Sequence, residues 1–153
     1  MDLNFQKNFS LRSYNTFGID VKSDEFIGIN NTLELQEVLN KKKNEKILIL
    51  GGGSNLLLTN DFSGLTIKIN IKGIQIIEES EELVIVKVAA GENWHEFVNW
   101  CLENDFGGIE NLALIPGSVG AAPIQNIGAY GVELESVFLE CEAISIDTGE
   151  IIK

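Results

Sequence analysis

Residues 24–55, DEFIGINNTLELQEVLNKKKNEKILILGGGSN, carry the reading on which the fold turns. Asp24–Asn30 is a short strand candidate. Asn31 stands where an N-cap would, and Glu34 follows three residues later. That is the spacing of a capping box, in which two side chains each satisfy one free N–H group of the first helical turn. Leu35, Val38 and Leu39 recur at helical spacing, and Lys41, Lys42 and Lys43 close the segment where positive charge suits the helix dipole. Lys46–Leu50 (KILIL) is a short, largely apolar strand. Strand, helix and strand in this order predict a β–α–β unit, two parallel strands joined by a right-handed crossover.

Outward from this unit the signals are more varied. Met1–Asp20 is polar and without a clear period, and reads as an extended entry segment. Leu65–Ile71 and Leu83–Ala89 alternate at period two, as half-buried strands do. Asn93 caps a second helix, again with a glutamate, Glu96, three residues on. Trp94, Phe97, Val98, Cys101 and Leu102 give that helix one apolar face, and Asp105 with Gly107-Gly108 ends it. Val137–Ile146 reads as a strand, Asp147-Thr148-Gly149 as a turn, and Glu150–Lys153 as the start of a return strand. A hairpin cut in its second strand leaves an unpaired edge, so the sequence is expected to be a truncated one. The fold class expected is α+β, organised as one domain or two small lobes sharing a core.

Composition narrows the function classes. The 153 residues carry a formal net charge of −12, which repels phosphate backbones and anionic lipid and argues against nucleic-acid or membrane-surface binding. Any anionic nucleotide would have to be held mainly by backbone N–H groups or by cations from outside the chain. Cys101, Cys141 and the single His95 form neither a disulfide framework nor a metal-ligand pattern. There is no charged-then-apolar leader and no run near the roughly 18 residues of a membrane span, so a cytoplasmic protein is expected.

Gly51-Gly52-Gly53-Ser54-Asn55 follows the apolar strand directly. Consecutive unhindered N–H groups can form a concave nest for an anion, and Ser54 and Asn55 can add donors. A tight turn with no ligand is the competing reading, at about equal weight for a bare glycine triplet. Two nucleotide loops are excluded. A P-loop needs Gly-Lys-Ser/Thr at its end, where Leu56 and Leu57 stand. A Rossmann fingerprint would begin at Gly51 and Gly53 but meets Leu56 in place of its third glycine, and too few residues remain before Leu65 for a helix.

The second small-residue stretch is Ile115–Gly131, IPGSVGAAPIQNIGAYG. Pro116-Gly117 reads as a turn. Ser118 could cap a short helix with its N-terminus toward an anion. Tight packing between the two lobes is the alternative. Tyr130, between Ala129 and Gly131, is an aromatic hydroxyl on a surface of small residues, which suits a ligand contact.

Taken in order, Asn15–Ile19 (NTFGI), Leu50–Leu56 (LGGGSNL), Ala90–Trp94 (AGENW) and Glu110–Glu133 (ENLALIPGSVGAAPIQNIGAYGVE) resemble the UDP-N-acetylenolpyruvoylglucosamine reductase family in its long, tyrosine-loop form. The resemblance runs over nearly the whole chain, and the last block is the most specific. It implies an FAD-binding fold of the vanillyl-alcohol-oxidase type, built from two α+β subdomains. Residues 1–70 would be the first, with the β–α–β unit and glycine loop, and 71–153 an incomplete second, with the substrate-binding domain absent.

Carried over residue by residue, the resemblance places Gly51, Gly52, Gly53, Ser54, Asn55 and Leu56 at the FAD, with Gly51, Gly53, Ser54 and Asn55 at its pyrophosphate. Pro116, Gly117, Ser118, Gly120 and Ala121 would line the cofactor further along, with Gln125, Asn126 and Gly128 near the flavin end. Tyr130 would touch the sugar nucleotide. The implied reaction is reduction of UDP-N-acetylglucosamine enolpyruvate to UDP-N-acetylmuramate, with FAD as cofactor and NADPH as co-substrate, in peptidoglycan synthesis. The cofactor performs the redox chemistry while protein groups position and polarise. The family's catalytic arginine, serine and glutamate would lie beyond residue 153. The one arginine here, Arg12, matches none of them, so no catalytic residue and no turnover by this chain alone are expected.

Other residues read as ordinary. His95 is expected at the surface of a first helical turn, Trp94 and Trp100 in packing, and Glu78, Glu79, Glu81 and Glu82 in a solvated turn. Two rivals stand beside the reductase reading. One is an oxidase of the same fold, although the covalent flavin attachment common there needs a His or Cys that neither glycine-rich loop contains. The other is a non-catalytic remnant that folds but binds nothing, or serves only as an interaction domain.

Overall fold

A computed structural model describes residues 3–153. It divides by internal contact into two compact units, one made of the residues through Asn70 with Leu139–Lys153, the other of Ile71–Phe138. The sequence boundary at residue 70 put 139–153 in the second part; by contact this segment joins the first.

The first unit is built on strands β1 (Gln6–Ser10), β2 (Lys22–Ile29), β3 (Ile47–Leu50) and β4 (Phe62–Ile69), with helix α1 (Thr32–Lys41) between β2 and β3. Their order in the sheet is β1-β2-β4-β3. β2 and β3 both pair in parallel with β4, so the β–α–β unit forms with its two strands parallel but not adjacent. Asn31 caps α1, its Oδ1 accepting from Glu34 N–H at 2.9 Å, and the Glu34 carboxylate accepts from Asn30 N–H at 2.8 Å. The box therefore closes one residue earlier than the sequence spacing implies.

Two expectations are corrected here. The entry segment is not featureless: within it β1 pairs antiparallel with β2, and Arg12–Tyr14 forms a 3₁₀ turn (the first two residues lie outside those described). Its polarity disguised an edge strand, whose outer face is solvated. β4 is not half-buried either. As the central strand it buries Leu65, Thr66 and Ile67 in succession, which is what cover on both faces requires. Thr66 stays satisfied there, its hydroxyl 2.8 Å from that of the equally buried Ser23. Leu50, Leu65, Ile67, Ile29 and Val38 are essentially inaccessible, and each such burial stabilises by about 1.5–3 kcal/mol.

The second unit begins with an antiparallel hairpin of β5 (Ile74–Glu79) and β6 (Val84–Val88). Glu78 and Glu79 thus end a strand rather than lie in the turn; Glu81 and Glu82 are in it. Helix α2 (Trp94–Glu103) follows, capped by Asn93 Oδ1 accepting from Glu96 N–H at 3.1 Å. Trp94, Val98 and Cys101 are buried, Phe97 and Trp100 pack beside them, but Leu102 is 48% exposed, at the edge of the expected apolar face. Burial pushes the Cys101 thiol up to about 11, so it packs as a small apolar group.

The rest of the second unit is irregular. It contains 3₁₀ segments at Glu110–Leu112, Val119–Gln125 and Leu134–Ser136, and a two-residue hairpin of β7 (Gly128–Ala129) and β8 (Val132–Glu133). The strand expected over Val137–Ile146 is reduced to β9 (Ala143–Ile144), paired antiparallel in the first unit with β10 (Ile151–Ile152). The expected turn at 147–149 joins them, and Gln36 of α1 donates to its Gly149 carbonyl at 2.8 Å.

Candidate functional site

The glycine loop leaves the C-terminal end of β3, beside the parallel strands β4 and β2. In open parallel sheets ligands meet the fold at the carboxyl ends of strands. No helix separates this loop from β4, so any anion here meets loop N–H groups rather than a helix dipole. Protein donors hold two of the loop's carbonyls. Lys68 Nζ on β4 donates to Gly51 O at 2.9 Å, and Thr16 N–H donates to Gly53 O at 3.2 Å.

Gly53 is buried at φ +70°, and a Cβ there would lie 2.0 Å from the Tyr14 carbonyl oxygen. The Tyr14–Thr16 backbone is fixed in turn by buried Asn15. Its Nδ2 donates to the Leu11 and Ile19 carbonyls at 2.8 and 3.0 Å, and its Oδ1 accepts from Ile19 N–H at 3.0 Å. Glycine at 53 is thus demanded by the protein's own packing. Gly52 and Asn55 are exposed, and Gly51, Ser54 and Leu56 half-buried. Among the described residues, the N–H groups of Gly52 and Gly53 donate to no protein acceptor. Carbonyls turned to the protein and amides left to an anion fit a pyrophosphate held by neutral donors.

In the second unit, residues 117–120 lie against 90–94. Trp94 N–H donates to Gly117 O at 3.1 Å, Val119 N–H to Glu92 O at 2.9 Å and Gly120 N–H to Ala90 O at 3.0 Å. A Cβ on Gly120 would come within 2.6 Å of Ala90 Cβ, so this glycine too answers a backbone crossing. Ser118 is buried and its side chain caps nothing, which corrects the capping role expected of it. Pro116 and Gln125 are exposed, and Ala121 half-buried.

Asn126 adopts the left-handed conformation at φ +42°. Its Nδ2 donates to Glu133 Oε2 at 2.8 Å and its Oδ1 accepts from Glu135 N–H at 2.9 Å, tying down the β7–β8 hairpin. A Cβ on Gly128 would meet Glu133 Cγ at 3.0 Å. Tyr130 and Gly131 form the hairpin's two-residue tip, both at positive φ, and Tyr130 is 90% exposed.

Sequence reasoning missed Lys68, which reads as one outward position of an alternating strand; only the register of β4 against β3, with Lys68 opposite Leu50, brings it under the loop. It also passed over His95. That side chain is half-buried, and its Nδ1 accepts from Leu114 N–H at 3.2 Å.

An α+β fold with a glycine loop after a parallel strand, and no helix behind it, sets the chain apart from the dinucleotide-binding α/β proteins. Residues 25–153 match the family model described as FAD binding domain, and the chain belongs to that family. It is 53% identical over 148 residues to the UDP-N-acetylenolpyruvoylglucosamine reductase of Flavobacterium johnsoniae, covering 97% of this chain and 44% of that one. Against the reductase of the same name from Amoebophilus asiaticus it is 48% identical over 155 residues, covering 100% of this chain and 45% of the other. The chain therefore spans less than half the length of the curated relatives it matches. The crystal structure of UDP-N-acetylenolpyruvylglucosamine reductase (MurB) from Thermus caldophilus superposes with a TM-score of 0.64 at 23% identity, over 87% of this chain and 45% of that one. With the family match, this likeness shows the fold, the FAD-binding fold of the vanillyl-alcohol-oxidase type.

Proposed function

We propose that this chain is the FAD-binding portion of an NADPH-dependent reductase that converts UDP-N-acetylglucosamine enolpyruvate to UDP-N-acetylmuramate in peptidoglycan synthesis. The protein would work in the cytoplasm on this small sugar nucleotide. No helix among the described residues is long and apolar enough to cross a membrane.

The glycine loop carries the proposal. Lys68 and Thr16 hold the carbonyls of Gly51 and Gly53, and among the described residues the amides of Gly52 and Gly53 meet no protein acceptor. Gly51–Leu56 would line the FAD, with the glycines, Ser54 and Asn55 at its pyrophosphate. Pro116, Gly117, Ser118, Gly120 and Ala121 would contact the cofactor through backbone and small side chains, with Gln125, Asn126 and Gly128 toward the flavin. Tyr130 would contact the substrate. Bound FAD would supply the hydride chemistry; these residues bind and orient. With neutral donors at the phosphate, a chain of net charge −12 can still hold an anionic cofactor.

Titrating FAD into the purified chain and following flavin fluorescence tests the reading. Affinity near micromolar, roughly −8 kcal/mol, is expected. No binding at about 100 µM, some −5 kcal/mol, would remove the cofactor assignment for this chain.

A further inference from the structure

We infer that His95 is a positioning residue for the cofactor segment at Pro116–Ser118, acting through the backbone of Leu114; the inference rests on the FAD reading above. Leu114 is a non-glycine residue at φ +64° whose side chain is 77% exposed, so packing of that side chain does not hold it there. Left-handed backbone at such a residue needs support from its surroundings. The first turn of α2 supplies it. Trp94 Nε1 donates to Leu112 O at 2.8 Å, His95 Nδ1 accepts from Leu114 N–H at 3.2 Å, and Trp94 N–H donates to Gly117 O at 3.1 Å. Three bonds from two adjacent residues thus clamp the backbone at 112, 114 and 117, immediately before Ser118.

The middle bond has a protonation requirement. Nδ1 can accept only while it carries no proton, so the imidazole must be neutral with its proton on Nε2. Nε2 lies 3.4 Å from Asn99 Nδ2, so the Nε2–H form calls for the Asn99 amide to be turned about with Oδ1 toward the ring. The titratable groups on α2 are Glu96, Cys101 and Glu103. Around it, Glu110 accepts from Gly108 N–H at 2.6 Å, Asp105 follows the helix, the carboxylates of Glu133 and Glu135 accept from Asn126 Nδ2, and the 119–125 segment has no titratable group. Glu92, just before the helix, is engaged with Lys72 and Gly73. A proton gained by the ring would put a donor where Leu114 N–H needs an acceptor, and the middle of the clamp would open.

His95 is the chain's single histidine, which makes the test clean. Long-range ¹H–¹⁵N spectra at pH 8 should show the Nε2–H tautomer, and hydrogen exchange should show a protected Leu114 amide. His95→Ala should lose that protection about fivefold or more, the equivalent of one neutral hydrogen bond, while His95→Asn, whose Oδ1 can replace Nδ1, should keep most of it. FAD affinity should fall by a similar factor in His95→Ala and be largely kept in His95→Asn. An Nδ1–H tautomer, or unchanged Leu114 protection in His95→Ala, overturns the inference whether or not FAD binds. Protection lost in His95→Ala with FAD affinity unchanged overturns the positioning role. If the parent binds no FAD at all, the FAD reading fails and with it this role, even where the spectra show the His95–Leu114 bond to be real.

Discussion

Gly53 and Tyr14 are in such close backbone contact that a Cβ on the glycine would stand 2.0 Å from the Tyr14 carbonyl oxygen. Nothing flexible is available to yield, because the obstacle is main chain held by the Asn15 side chain. The glycine triplet therefore serves two purposes at different positions. Gly53 lets the loop seat against residues 14–16, and exposed Gly52 leaves the loop open to solvent and ligand.

Substitutions at the two positions should separate accordingly. Gly53→Val combines a left-handed φ with a main-chain clash and should destabilise by about 3 kcal/mol or more. Gly52→Asp, at an exposed position outside the left-handed region, should leave the melting temperature within about 2 °C of the parent and weaken FAD tenfold or more. Thermal scans with and without FAD read both effects. A parent-like melting temperature for Gly53→Val, or parent-like affinity for Gly52→Asp, would show the division to be wrong.

Glu92 should give the second unit an acid-sensitive tie. Burial opposes its charge, but the Gly73 N–H at 2.6 Å and Lys72 at 3.1 Å outweigh it and hold the carboxyl below its ordinary 4.5. Lys72 is 56% exposed, so most of the effect belongs to the backbone bond. A depressed carboxyl contributes stability that is present above the unfolded value and lost as pH falls through the folded one. Glu92→Gln should therefore melt about 2–4 °C below the parent at pH 7, for roughly 1 kcal/mol, and the gap should close below pH 4.5. A gap of constant size from pH 3 to 7 would assign the loss to packing instead.

These contrasts show which parts of the molecule were legible in its sequence. The capped helices were, because Asn31 and Asn93 with their glutamates act over three residues. So was the β2–α1–β3 unit. The insertion of β4 between β2 and β3 was not, since strand order is a matter of long-range pairing that alternation does not encode. β1 was hidden by polar edge residues. In the candidate site, small residues marked both stretches correctly as places of close approach. Sequence could not say whether the approaching group was a ligand or the protein itself. For Gly53 and Gly120 it includes the protein: the Tyr14 and Ala90 backbones. Lys68 and His95 act through main-chain atoms distant in sequence, which no local pattern reports.

Tyr130 offers the sharpest separation of ligand contact from architecture. With Gly131 it forms a two-residue tip between β7 and β8 in which both φ angles are positive, +54° and +81°. Such a turn favours Asn-Gly, and an aromatic residue at its first position is strained by about 1 kcal/mol. The ring is 90% exposed and so recovers little of that by burial. Tyr130→Asn should therefore leave the melting temperature unchanged or raise it by a few degrees, about 2–4 °C for each kcal/mol relieved. The tip itself is anchored elsewhere, by Asn126 on Glu133 and Glu135, so the hairpin should persist. Strain retained without a packing return is the pattern of a residue kept for what it touches. FAD affinity should be unchanged in the variant, whereas affinity for UDP-N-acetylglucosamine enolpyruvate, measured calorimetrically in a full-length reductase carrying the same change, should fall. A variant that melts several degrees lower would make Tyr130 a structural residue and remove it from the substrate site.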